Sequence, residues 1–174
     1  MKKAGMSFFY WNRPQRGAFL TSKKDRKTMA TVYIGSDHAG LELKAALVKR
    51  LSEKGHDVHD LGPATTESCD YPDFAGPAAE AVASGRCDRG IVCCTTGIGV
   101  SITANKVKGI RCAHCTDSLS AEMTRRHNDA NVLALGAGIT GPNLAKRIVE
   151  VFLNTEFEGG RHARRVGQLD SIQP

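Results

Sequence analysis

From Thr31 onward, short β-branched runs alternate with longer stretches of helical periodicity, and this alternation restricts the fold more tightly than any other property of the 174 residues. Residues 31–35 (TVYIG) read as a strand, and Leu41, Leu43, Leu47, Val48 and Leu51 then form one apolar face of a helix that ends at Gly55. Residues 58–61 give a second, weaker strand. Beyond the turn-rich stretch 62–72, Phe74, Ala78, Ala81 and Val82 mark a second helix ending near Gly85. Three further strands, over 90–94, 110–115 and 131–135, are each followed by a helical run, over 99–107, 118–127 and 142–153. Five strand-helix units in succession predict an α/β fold: a parallel sheet with helices on both faces and right-handed crossovers. A final Gly-broken segment, 158–165, re-enters a helix with a basic first turn, which opposes the helix dipole unless an anion sits nearby.

The formal net charge of +6 is unevenly spread. Residues 1–29 carry eight Lys/Arg against the single acid Asp25, a balance of +7, so residues 30–174 hold −1. The body therefore has no basic surplus to drive binding to a nucleic-acid backbone. We read 1–29 as a basic N-terminal extension, disordered, targeting, or translated from a start upstream of Met29, and 30–174 as a single domain. No secretory signal is expected, because the longest uncharged apolar run, 8–11, is shorter than the roughly 7 to 15 residues of an h-region. The scarcity of acids suits an organellar transit peptide better than the few Ser/Thr do, so a cytoplasmic protein is expected, with organellar targeting left open. No stretch approaches the roughly 18 apolar residues of a membrane span. Six cysteines without a secretory signal imply a reducing compartment and free thiols.

In an open parallel sheet, ligands bind beyond the carboxyl ends of the strands. That rule selects the loops at 36–40, 94–99, 116–117 and 136–138. Cys94 stands out, because its thiol faces the free amides and positive dipole end of the helix that follows, which stabilise a thiolate and an oxyanion beside it. Gly97 and Gly99 let backbone approach a ligand closely, so Thr95, Thr96, Gly97, Ile98 and Gly99 form a candidate anion cradle. Cys93 should point to the other face as a small core residue. Asp37 and His38 either cap the first helix or present a carboxylate and an imidazole at the mouth of the sheet. Cys112 and Cys115 mimic a redox or zinc motif, but three residues apart on a strand they face opposite ways, so neither a metal nor a disulfide is expected. Arg125 and Arg126 suit a helix C-terminus, whereas His127 beside Asn128 offers a proton donor and an oxyanion donor together.

Six segments in order carry a resemblance: Gly-Ser-Asp-His-Ala-Gly at 35–40, Asp-Tyr-Pro-Asp at 70–73, Cys-Thr-Thr-Gly-Ile-Gly-Val-Ser-Ile-Thr-Ala-Asn-Lys at 94–106, Gly-Ile-Arg at 109–111, His-Asn-Asp at 127–129 and Glu-Gly-Gly-Arg-His at 158–162. Over about 31–172 the chain resembles the type B ribose-5-phosphate isomerases, whose wider family includes galactose-6-phosphate isomerase subunits. The resemblance implies a Rossmann-like three-layer sandwich with a five-stranded parallel sheet. It also implies a homodimer with shared active sites, and leaves open the pairing of dimers into tetramers. The implied activity is metal-free and cofactor-free interconversion of ribose 5-phosphate and ribulose 5-phosphate through an enediolate, a step of the pentose phosphate pathway. Under it, Cys94 is the base and His127 donates a proton and helps to open the sugar ring. Asp37, His38 and Asn128 contact substrate, the amides of Thr95 to Gly99 hold the enediolate, and Arg161 and Arg165 bind phosphate.

Two positions depart from the family's pattern. Thr95 replaces the usual glycine, and Gly138 replaces an arginine that binds phosphate. Losing one charge-assisted hydrogen bond costs about 1.5 to 3 kcal/mol, roughly 10 to 100-fold in affinity, unless another cation such as Arg164 or His162 substitutes. Alternatives are therefore a six-carbon substrate, galactose 6-phosphate or allose 6-phosphate, or a non-catalytic phosphate-binding module. A thiol-redox protein is a third idea, and it requires Cys112 to pair with Cys115.

Overall fold

A computed structural model describes residues 29–172 of the chain, so the basic extension read over 1–29 lies, except for Met29, outside the described residues. The elements follow in the order β1 (Thr31–Ser36), α1 (Leu41–Glu53), β2 (Asp57–Asp60), α2 (Pro72–Ala83), β3 (Arg89–Cys94), α3 (Ile98–Ala104), β4 (Cys112–His114), α4 (Ser118–Asn128), β5 (Val132–Gly136), α5 (Pro142–Asn154) and α6 (Arg161–Ile172). The five strands form one sheet in the order β2-β1-β3-β5-β4, every pair parallel. Strand-to-strand crossovers carry helices, so the strand order reverses between β1 and β3 and leaves a crevice at their carboxyl ends.

Alternation along the strands builds two separate cores. Ile34, Ile91, Cys93, Leu133 and Leu135 pack against α1 and α5 through Leu47, Leu51, Ile148 and Phe152. Val92, Cys94, Val132 and Ala134 pack on the other face, against Ala75, Ala78, Ala79, Val100 and Ala104 of α2 and α3. This is the three-layer sandwich expected from the alternating pattern, and the central strands read as unbroken apolar runs because both of their faces are covered. Each fully buried Leu, Ile or Phe contributes about 1.5 to 3 kcal/mol of transfer free energy. Buried Lys44 is accommodated because its ammonium meets Asp60 Oδ1 at 2.5 Å and Pro63 O at 2.8 Å, which ties α1 to the end of β2.

Boundaries shift mainly at the sheet edges. β4 spans three residues, not the six of 110–115, because it bonds to β5 alone and its approach is taken over by side chains. Asn105 accepts from Cys112 N and donates to Cys112 O, which also ends α3 before Val107, while Asn131 Oδ1 accepts from Arg111 N. β2, the other edge, begins at Asp57 and is largely exposed, so its apolar pattern is weak. Cys112 packs in the α2–α3 core and Cys115, just past the end of β4, in the α1–α5 core on the opposite face, and all six thiols are free. Among the described residues no helix is long and apolar enough to cross a membrane.

Candidate active site

β3 delivers Cys94 to the crevice beside β1. The chain then turns through Thr95 and Thr96 to Gly97, which precedes α3 with φ 81°. Only glycine fits there: a Cβ would lie 2.6 Å from His114 Cδ2 and 2.9 Å from the carbonyl carbon of Leu135. The turn bends the Gly97 amide back onto Cys94, donating to Sγ at 3.1 Å. Cys94 itself is 5% exposed. Of the five cradle amides expected from the sequence, that of Gly97 is thus committed to the sulfur, and that of Ile98 donates to Thr96 Oγ1 at 3.3 Å. The β5 loop clamps the turn, with Ala137 N donating to Cys94 O at 2.8 Å and Gly138 N to Thr95 O at 2.9 Å.

Asp37 and His38 follow β1 into the same crevice. Asp37 Oδ1 accepts from Gly40 N at 2.9 Å and its own amide donates to Cys93 O, so it closes the turn before α1; the N-cap is Gly40, with no side-chain cap hydrogen bond, and the capping role is not realised. His38 Nδ1 accepts from Cys69 N at 3.2 Å, which leaves Nε2 as the protonated nitrogen of the neutral ring. His38 lines a cavity of about 500 Å³ together with Thr66, Thr95, Gly138 and Thr140. The buried hydroxyls of Ser36, at the end of β1, and of Thr140, in the cavity wall, have no protein partner among the described residues.

His127, Asn128 and the arginines lie elsewhere. α4 starts beyond the carboxyl end of β4 and runs back to the amino end of β5, so its last residues sit at the pole opposite Cys94. There His127 stacks on His162 of α6, ring centroids 4.2 Å apart and planes 3° from parallel. Each Nε2 lies 3.7 Å from the same Glu158 oxygen, Oε2. Arg126 Nε donates to the other oxygen at 2.6 Å and, as the leading cause, holds the Glu158 carboxyl below its usual range. The three donor groups come within 4.8 Å of one another, the composition of a metal site. Their lone pairs do not converge on one point, however, because imidazole lone pairs lie in the ring planes and these planes are parallel. Arg161 Nε donates to His162 Nε2 at 3.4 Å, and Arg161, Arg164 and Arg165 are all exposed. His162 is 6% exposed, so of the two substitutes for a cation at position 138 only Arg164 remains accessible. Asn128 borders a second cavity of about 450 Å³ with Arg111 and Asp170, and its carbonyl accepts from Arg111 Nε.

The structure thus brings Asp37, His38, Cys94 and Thr95 to Gly99 together, and gathers His127, Asn128 and Arg161 at the other pole with Arg165 on the same helix. Glu158 received no role from the sequence. It is the anion that the basic first turn of α6 called for, and the Glu-Gly-Gly-Arg-His spacing was the available signal.

Residues 32–169 match the model of the ribose/galactose isomerase family. The chain belongs to that family. Among solved structures, the ribose-5-phosphate isomerase B of Clostridium thermocellum is 55% identical with a TM-score of 0.81, covering 82% of this chain and 96% of that one. Ribose-5-phosphate isomerase B of Escherichia coli is 46% identical over 83% of this chain and 97% of its own. A relative from Pectobacterium atrosepticum, 45% identical over 81% of this chain and 93% of its own, is a D-erythrulose-4-phosphate isomerase. Thr95 and Gly138 touch each other: a Cβ on Gly138 would lie 3.1 Å from Thr95 O and 3.3 Å from Thr95 Cγ2.

Proposed function

We propose that the protein interconverts ribose 5-phosphate and ribulose 5-phosphate through an enediolate, in active sites that two copies of the chain complete together. The observation that carries this is Cys94, whose sulfur accepts from the Gly97 amide at the strand-order reversal, next to Thr95, which with His38 lines a cavity of about 500 Å³. Aldose–ketose isomerisation needs a base for the proton on C2, donors for the charge that develops on oxygen, and a group that exchanges protons at that oxygen. Cys94 is the base and the uncommitted amides of the 95–99 turn are the donors. A positioned base contributes about 10² to 10⁴-fold and an oxyanion donor about 10² to 10³-fold. Ser36 and Thr140 offer hydroxyls to the sugar, and His38 presents its Nε2–H.

The proton donor is His127 of a second copy, because His127 cannot reach Cys94 of its own chain from the opposite pole. A two-fold arrangement sets the Cys94 end of each copy against the His127 end of the other and repeats the contact symmetrically. Exposed Ile98, Ile102 and Ile139 border the Cys94 end and give such a partner an apolar surface to cover. Asn128, Arg161 and Arg165 arrive with the same His127 and supply a ligand contact and phosphate-binding charge. Six unpaired thiols suit a reducing compartment such as the cytoplasm.

The test is kcat/KM for four-, five- and six-carbon sugar phosphates with wild type and Cys94→Ala. Ribose 5-phosphate should be turned over best, with loss of at least about 10²-fold in the variant. Retained turnover in Cys94→Ala, or preference for a six-carbon phosphate, overturns the assignment.

A further inference from the structure

The stacked imidazoles at the α4–α6 junction share one carboxylate, yet their surroundings differ. His127 is about two-fifths exposed and His162 is buried. Two imidazolium rings at a centroid spacing of 4.2 Å would repel, so the pair does not hold two protons, and its surroundings decide which ring takes the first. On the His162 side, Arg161 donates to Nε2 and occupies the lone pair a proton would need. Burial, the facing His127, and the Arg161 and Arg165 guanidiniums all push the His162 pKa down, and Glu158 only partly opposes them. On the His127 side, Glu158 is the facing charge and Arg126, with Glu122 behind it, keeps that carboxylate ionised.

We propose that Glu158 and His162 are positioning residues for His127: the stacked neutral ring fixes the plane of its imidazole, and the shared carboxylate keeps the proton of the pair on it. This rests on the reading of His127 as the proton donor. A neutral ring under a charged one also attracts it through its π face, so the stack holds best in the protonated form that the reaction needs. Glu158 acts at 3.7 Å, ion-pair range without a hydrogen bond, so it biases the proton without anchoring the ring in one hydrogen-bonded position.

The test uses the full chain and follows the imidazole resonances by NMR titration without substrate, beside the pH profile of kcat. In wild type, His127 should titrate and His162 should remain neutral until lower pH. Glu158→Gln should lower the His127 midpoint by about half a unit or more and move the alkaline limb of kcat to lower pH by the same amount. His162→Ala should lower kcat roughly tenfold or more with KM little changed, and His162→Phe, which restores a stacking ring, should recover most of that loss. The proposal is overturned if Glu158→Gln leaves the His127 midpoint where it was, or if His162 carries the proton in wild type. Full activity in His127→Asn would instead remove the proton-donor role on which the proposal rests, and the titration would show separately whether the carboxylate biases the ring.

Discussion

Cys93 and Cys94 are chemically identical neighbours whose fates are decided by the side of the sheet they face. Burial pushes the Cys93 thiol up to about 12, and burial likewise holds Cys87 and Cys115 at about 11, so none of the three is a thiolate at neutral pH. The Cys94 sulfur instead lies at the crevice and accepts from the Gly97 amide at 3.1 Å. Cys94→Ser should therefore lower kcat by about 10² to 10⁴-fold with little change in Tm. Cys93→Ala should do the reverse, keeping kcat and losing about 1 kcal/mol of stability by thermal unfolding. Thr95 and Gly138 form a second residue-level pair. A Cβ at 138 presses on Thr95 O and Cγ2, so Gly138→Arg alone should lower Tm without improving KM for ribose 5-phosphate. Adding Thr95→Gly relieves the side-chain contact, and the double variant should lower KM about tenfold. Cys94 was legible in the sequence because a strand end, a glycine turn and a helix start are all local signals. The contact between Thr95 and Gly138 was not, since it exists only once β3 and β5 lie side by side.

Among the elements, β1, β3 and β5 were legible to within a residue because both of their faces are apolar. β4 was overextended, since Ile110 and Cys115 are buried by the turn before and the loop after a short edge strand rather than by strand pairing. The α4–α6 junction was invisible for a related reason: nothing in a linear pattern says that α6 folds back onto α4. The α1–α5 pair yields a pH-dependent prediction. Glu150 of α5 accepts from Arg50 of α1 at 2.8 Å and meets Lys54 at 2.7 Å. Hydrogen bonding to Lys54, ahead of the Arg50 contact, lowers the Glu150 pKa. A carboxyl depressed in the folded state stabilises the fold above its unfolded pKa, and that contribution disappears as pH falls through the folded value. Wild type should exceed Glu150→Gln by about 0.5 to 1 kcal/mol near neutral pH, and denaturant midpoints should converge as pH drops below about 4.

For the molecule as a whole, the decisive feature is the direction of α4, which carries His127 away from the Cys94 of its own chain. If each site draws Cys94 from one copy and His127 from the other, two inactive variants can repair one another. Cys94→Ala and His127→Asn, mixed after reversible dissociation, should regain about a quarter of wild-type activity, because half of the random pairs are mixed and each mixed pair has one intact site of two. No recovery would mean that both groups serve a site within one chain.

The same direction of α4 has a cellular corollary. If sites are completed between copies, a solitary polypeptide leaving the ribosome carries half of the machinery at each end and is silent until it meets a sibling. At scarce protein levels turnover would then climb with the square of chain abundance, and dilution alone would switch it off.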